Sequence, residues 1–195
     1  MNHFFALELP LEISQPLANY ASRWREDLGE ERFRWYDPAD YHITVKFLGD
    51  IPLADAQRAI TVAIAVSQEC EPFDIQLAGP SALPNPERFA NVLINGIYPS
   101  EGLRSLVNKL ESALSTEGFA KERGSYISHI TLARCKKREQ NLQFPKFEHV
   151  FLQCSINHFV LMQTLPPDKR ENGAKARYNL VHAFPFREKP VSDVS

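Results

Sequence analysis

Apolar positions along this chain change period from two to three or four and back again, and the changes mark out its elements. Residues 3–9, His-Phe-Phe-Ala-Leu-Glu-Leu, read as a strand. After Pro10 the segment from Ser14 to Leu28 carries helical spacing, with Ser14 as N-cap, Pro16 in the first turn and Gly29 as the stop. A short strand is predicted from Phe33 to Tyr36 before Asp37-Pro38, and a longer one from Tyr41 to Leu48. Gly49-Asp50-Ile51-Pro52 then turns the chain into a helix from about Leu53 to Glu69, with Asp55 near its start, and Phe73 to Ala78 reads as a strand. The stretch Gly79 to Pro86 holds three prolines and predicts a loop leading to a strand from Phe89 to Ile97.

Ser100 caps a helix whose apolar positions Leu103, Leu106, Val107, Leu110 and Leu114 follow the i, i+3, i+4 pattern, ending at Gly118. Beyond it come a strand from Tyr126 to Arg134 and a basic run, Lys136-Lys137-Arg138. A strand-rich piece from Cys154 to Thr164, a charged loop from Pro166 to Ala176 and a last strand from Arg177 to Phe184 follow, and the tail after Pro185 is expected to fray. Strand, helix and strand recur at similar offsets in each half. The pattern predicts an α+β fold of two similar α/β lobes related by a pseudo-twofold, with a central cleft, forming one domain over residues 1–185 with a tail over 186–195.

Composition narrows the function classes. With 195 residues and 44 % hydrophobic content the chain can bury a sizeable core without staples. Cys70, Cys135 and Cys154 are odd in number and lack Cys-x-x-Cys spacing, so a disulfide framework and a zinc ribbon are disfavoured and a reducing compartment is expected. The N-terminal apolar run stops at Glu8 and Pro10, too soon for a signal peptide, and no apolar run is long enough for a membrane span; a cytoplasmic address is expected. A net charge of −2 argues against holding long nucleic acid through a general basic surface, so a nucleic-acid contact should be local, such as one chain end in a pocket.

Against this background one repetition stands out: His42-Ile43-Thr44-Val45 returns as His129-Ile130-Thr131-Leu132. On a strand, each His shares a face with the Thr two residues on, while the aliphatic residues face the other way. Two facing imidazoles can supply a base and an acid in one turnover, and two hydroxyls can donate to the nonbridging oxygens of a phosphate between them. That scheme requires no metal. His3, His149, His158 and His182 lack a repeated context and are expected to be structural or surface residues, His182 lining the core through its alternation with Tyr178, Leu180 and Phe184. No His-Glu-x-x-His motif, Gly-x-Ser-x-Gly elbow or Gly-rich phosphate loop occurs, which disfavours zinc hydrolysis, a serine nucleophile and nucleoside triphosphate hydrolysis.

At these residues the chain resembles the two-histidine phosphoesterase superfamily, and within it the RNA 2′,3′-cyclic phosphodiesterase or 2′-5′ RNA ligase family. The likeness runs from Phe4-Phe5-Ala6-Leu7-Glu8-Leu9-Pro10 through Arg34-Trp35-Tyr36-Asp37-Pro38 and His42 to Asp50. It resumes from His129 to Arg134 and closes at Tyr178-Asn179-Leu180. The resemblance implies that His42, Thr44, His129 and Thr131 form a catalytic centre opening a terminal 2′,3′-cyclic phosphate to a 2′-phosphate. His42 would act as acid and His129 as base, with 2′-5′ ligation as the reverse reaction. It implies no cofactor and no metal; the partner would be an RNA 3′ end carrying a cyclic phosphate, or a cyclic nucleotide, with no membrane partner, and a monomer is expected. A 2′-5′ oligoadenylate or small cyclic nucleotide phosphodiesterase, and a non-catalytic RNA-end binding module, are the alternatives.

Arg134 and Lys46 are the candidate substrate-binding cations. Lys46 shares the His42 and Thr44 face by simple alternation, whereas Arg134 reaches the His129 face only if its strand ends or bulges near Ala133. Alternation makes Phe47 a core residue. Lys169, Arg170, Lys175 and Arg177 could rim the cleft, and Tyr126 or Phe89 could stack on a base.

Overall fold

The computed structural model describes residues 1–85, 89–139, 152–166 and 177–188. Along the chain come β1 (Asn2–Glu8), α1 (Leu11–Leu28), β2 (Phe33–Trp35), β3 (His42–Asp50), α2 (Leu53–Gln68), β4 (Phe73–Asn85), β5 (Phe89–Ile97) and α3 (Glu101–Thr116). They are followed by β6 (His129–Glu139), β7 (Gln153–Ile156), β8 (His158–Thr164) and β9 (Tyr178–Pro185). The strands form one antiparallel sheet in the order β7-β4-β5-β6-β3-β1-β8-β9, with β2 added beside β6. The α+β class is as the sequence predicts. In each half the strand before the helix lies beside the motif strand after it, β1 against β3 and β5 against β6. The two halves meet where β3 touches β6.

Three helices cover one face of this sheet. Ile13, Leu17, Trp24 and Leu28 form the buried stripe of α1, Ala59, Ala63 and Val66 that of α2, and Leu103, Leu106, Leu110 and Leu114 that of α3. All join Leu7, Ile43, Leu93 and Ile130 in one core. A smaller cluster of Phe4, Ala6 and Val160, with Met162 and Tyr178 against it, lies apart from that core, so β1 is buried from His3 to Leu7. Among the described residues no helix is long and apolar enough to cross a membrane.

Four local expectations change. Helix α1 starts at Leu11 because the Pro10 carbonyl accepts from Ile13 and Ser14 at 2.9 and 3.0 Å, which puts Ser14 inside the first turn; Gly29, at φ +88°, closes the helix as expected. Strand β4 continues to Asn85 through the stretch expected to be a loop. Its register against β5 slips at Leu77/Gly79 and again at Leu83/Pro84, and β7 covers its other edge only from Phe73 to Gln76, so Pro80 and Pro84 sit where a missing N–H is tolerated. The core extends past Pro185: Phe186 is buried against Phe73 and Phe159, and the Arg187 N–H donates to the Cys70 carbonyl at 3.0 Å. His182 is exposed on β9 beside Phe184 and does not line the core. Residues 189–195, His149 and the charged loop over 167–176 lie outside the described residues.

Candidate active site

Ile43 and Ile130, both fully buried, are the register partners joining β3 to β6. Antiparallel pairing about that point sets His42 opposite Thr131 and Thr44 opposite His129, on the face turned away from the two isoleucines. Residues directly opposite on neighbouring strands have Cβ atoms about 4.5–5.5 Å apart, so each imidazole stands beside the other motif's hydroxyl. The four side chains predicted from the repeat are therefore brought together. Each ring is also held in the same way. His42 Nδ1 lies 2.7 Å from the Asp40 carbonyl and His129 Nδ1 lies 2.8 Å from the Ile127 carbonyl. A carbonyl only accepts, so Nδ1 carries the proton in both rings and Nε2 is the nitrogen left for chemistry.

Directly after each Thr the strand carries one extra residue. Ala6 pairs with Thr44 but Phe5 pairs with Lys46, leaving Val45 as a bulge in β3. Ile94 pairs with Thr131 but Leu93 pairs with Ala133, leaving Leu132 as a bulge in β6. Both motifs thus bulge at their fourth residue, and side-chain parity flips beyond it. Consecutive burial of Val45 and Lys46, and of Leu132 and Ala133 followed by exposed Arg134, shows the flip directly.

The flip decides three of the candidate residues. Arg134 meets the condition set by the sequence and stands on the His129 and Thr131 face, where its Nε donates to the Tyr36 hydroxyl at 3.1 Å. Lys46 goes the other way. It is 5 % exposed, with Nζ donating to the Ala120 carbonyl at 2.7 Å and paired with Glu111 at 2.8 Å, so its charge is already compensated within the fold although the residue forms part of the wall of the cavity beside Thr44 and His129. Phe47, expected in the core, is 49 % exposed and stacked with Phe4 at 6.5 Å.

A set of aromatic residues that pattern reading had left without a role surrounds His42. Its ring lies 5.0 Å from both Phe4 and Tyr178, the latter edge-on. Burial raises the Tyr178 pKa, and the neighbouring Tyr36 adds to the rise. Burial likewise lowers the pKa of His42 below its ordinary value of 6.5, outweighing the Asp40 carbonyl bond, with His129 adding a further lowering. Asp40, itself buried, accepts from the Arg177 backbone N–H at 2.7 Å, and the Arg177 guanidinium lies 4.4 Å from the centre of the Tyr36 ring. Arg177 therefore braces the loop that holds His42. The only sequence signal for Tyr36 and Tyr178 was their place in the family likeness, because their roles depend on partners 142 positions apart.

Tyr126 donates its hydroxyl to the Thr44 carbonyl at 2.9 Å, tying the approach to β6 onto β3. A cavity of about 420 Å³ opens there, with Thr44, Phe47, Arg123, Tyr126 and His129 in its lining and the Lys46–Glu111 pair in its wall. Phe89 lies seven positions along β5 from Gly96, the partner of His129, which is about 23 Å at strand rise and too far to stack on a base there. Lys169, Arg170 and Lys175 fall outside the described residues.

The family model for LigT-like phosphoesterases matches residues 7–93, a span that includes the first motif. A protein of Geobacillus stearothermophilus called RNA 2′,3′-cyclic phosphodiesterase is 29 % identical over 97 % of this chain and 58 % of its own length. One of the same name from Methanocaldococcus jannaschii is 26 % identical, over 86 % of this chain and 94 % of its own. The chain is similar to the LigT-like phosphoesterases over its first half. Among solved structures, Escherichia coli LigT crystallised with 3′-AMP superposes with a TM-score of 0.74 at 22 % identity, covering 95 % of this chain and 97 % of that one, so the LigT-like fold extends past the matched segment to the second motif.

Proposed function

We propose that this protein hydrolyses RNA 2′,3′-cyclic phosphate ends to 2′-phosphates, with His42 and His129 as the acid–base pair. The observation that carries the reading is the cross-strand quartet, in which two imidazoles with the same fixed tautomer each face a threonine hydroxyl. Two relatives bearing the name of that activity support it.

In the reaction His129 Nε2 takes a proton from water as its oxygen bonds to phosphorus. The bond from phosphorus to O3′ breaks, and His42 Nε2–H gives its proton to O3′. The Thr44 and Thr131 hydroxyls donate to the two nonbridging oxygens as negative charge gathers there. Because Nδ1 of each ring is committed to a carbonyl, both proton transfers take place at Nε2. These four groups supply base, acid and anion donors without a metal. With a 5′-hydroxyl leaving or attacking in place of water, the same groups run 2′-5′ ligation by microscopic reversibility. Arg134 holds the phosphate from the side of β6. We take the protein to act as a monomer on RNA ends or cyclic nucleotides in the cytoplasm, a reducing setting that suits its three free thiols.

The test is product analysis in EDTA on a panel of 2′,3′-cyclic-phosphate oligonucleotide, 2′,3′-cyclic mononucleotide and 2′-5′ oligoadenylate. Conversion of the first two to 2′-phosphates is expected, with a bell-shaped pH profile and a loss of roughly 10²–10⁴ in rate for His42→Ala or His129→Ala. Retained rate in either variant, a 3′-phosphate product, or binding without turnover overturns the reading.

A further inference from the structure

The face of β6 that carries His129 and Thr131 continues, past the Leu132 bulge, to Arg134 and Lys136, both exposed. Directly opposite Arg134 on β2 stands Arg34, also exposed. Two like charges opposite one another on paired strands are destabilising unless an anion lies between them. Among the described residues no carboxylate pairs with Arg34, Arg134 or Lys136. A cavity of about 630 Å³ opens beside β2, with Arg34, Trp35, Tyr36, Lys136, Arg25 and Arg177 in its lining. Its two acidic neighbours are already engaged: Glu30 is paired with Arg25, and an Asp37 carboxylate oxygen accepts from the Ala39 N–H. On a protein whose overall charge is −2 this is a local excess of unspent cations.

We propose that Arg34, Lys136 and the outer side of Arg134 form a second phosphate subsite, which holds the backbone of the RNA strand upstream of the cyclic phosphate. The inference rests on the activity proposed above and refines its substrate from any 2′,3′-cyclic nucleotide to a single-stranded oligonucleotide 3′ end. Arg134 lies three residues from Thr131, about 7–10 Å along the strand, so it stands between the reacting phosphorus and the subsite. Lys136 lies two residues further on. The strand thus leaves the catalytic quartet along β6 towards β2, with Trp35 at the cavity wall beside its path. Arg34 and Arg134 together offer two guanidinium planes to one phosphate, an arrangement suited to bidentate contacts.

The experiment compares kcat/KM for a 2′,3′-cyclic mononucleotide and for a trinucleotide ending in the same cyclic phosphate, in wild type and in the double variant Arg34→Gln, Lys136→Gln. Wild type should favour the trinucleotide by about tenfold or more. The double variant should lose most of that preference while its mononucleotide kcat/KM stays within about twofold, and the salt dependence for the trinucleotide should fall by about 1.4 log units per log unit of salt, two contacts at roughly 0.7 each. The Tm of Arg34→Gln should not fall, since it relieves a repulsion. Equal losses on both substrates, or no loss on either, overturn the proposal. If wild type turns over neither substrate, the activity reading fails by itself. The subsite is then judged by fluorescence anisotropy with a 3′-phosphorylated trinucleotide: about tenfold weaker binding in the double variant supports it, and unchanged binding overturns it.

Discussion

Replacing Lys46 by Met tests the β3 bulge at the point where strand alternation and the folded register disagree. If alternation held, Lys46 would meet the substrate phosphate, and its loss would raise KM while sparing stability. In the structure its ammonium is buried between the Glu111 carboxylate at 2.8 Å and the Ala120 carbonyl at 2.7 Å. The gross attraction at that separation is about 6 kcal/mol for an effective dielectric near 20, and desolvation of the lysine offsets a large part of it. Met keeps most of the packing but leaves the Ala120 carbonyl unmet and Glu111 uncompensated. Glu111 retains 26 % exposure, so it recovers some hydration. We expect a loss of about 2–4 kcal/mol, towards the lower end of what breaking a buried pair costs, seen as a fall in Tm of about 6–12 °C.

The pH dependence has a definite sign. Burial acts to raise the Glu111 pKa, but the Lys46 hydrogen bond, with that of the Glu122 N–H, outweighs it and the net shift is downward. A carboxylate with a depressed folded pKa contributes stability above its unfolded pKa and loses it as pH falls through the folded value. The gap between wild type and Lys46→Met should therefore be full at neutral pH and shrink below about pH 4.3, the ordinary glutamate value. Differential scanning fluorimetry across pH, with steady-state kinetics at pH 7, measures both parts. An unchanged Tm together with a tenfold rise in KM would refute the structural assignment and make Lys46 a phosphate ligand.

Three further outcomes follow from the same geometry. Burial keeps His42 below its ordinary 6.5, so one of the two pKa values in the kcat/KM profile should lie below 6.5; Tyr178→Ala uncovers the ring and should move that limb upward, and an unmoved limb contradicts burial as the cause. Thr131→Val removes one donor to the nonbridging oxygens and should lower kcat by about 10²–10³ with little change in Tm, a result that a merely structural threonine would not give. Gly102→Ala should destabilise by about 1–3 kcal/mol in urea unfolding, because a Cβ there would fall 2.3 Å from Phe73 Cβ and lift α3 off β4; a neutral effect would mean the helix shifts freely.

How much of this was legible beforehand depends on what each feature requires. The helix stripe of Leu103, Leu106, Leu110 and Leu114 and the repeated His-Ile-Thr are local periodicities, so their elements and faces could be read from the chain itself. The bulges could not. Val45 and Leu132 are ordinary strand residues, and the extra position shows only in the partner strands, where Phe5 meets Lys46 and Leu93 meets Ala133. That is why alternation put Lys46 on the His42 and Thr44 face and Phe47 on the core face, the reverse of their places. Arg134 was legible only conditionally, through the geometric requirement it imposed near Ala133. Continuation of β4 through Pro80 and Pro84 was hidden for a related reason, since a proline forbids one ladder bond and not the strand, and which edge is open depends on β7. Phe186 joined the core through contacts with Phe73 and Phe159, more than 25 positions away, that no window on the tail contains.

The paired irregularities after Thr44 and Thr131 also give the centre a direction. Four matched side chains alone would accept a ligand equally well in either of two orientations. Three residues beyond each threonine, however, the two halves present opposite characters, an uncovered phenyl ring at Phe47 and a guanidinium at Arg134. A molecule with an aromatic end and an anionic end has one favourable way to lie across them, so asymmetric seating comes from two positions that flank the matched quartet.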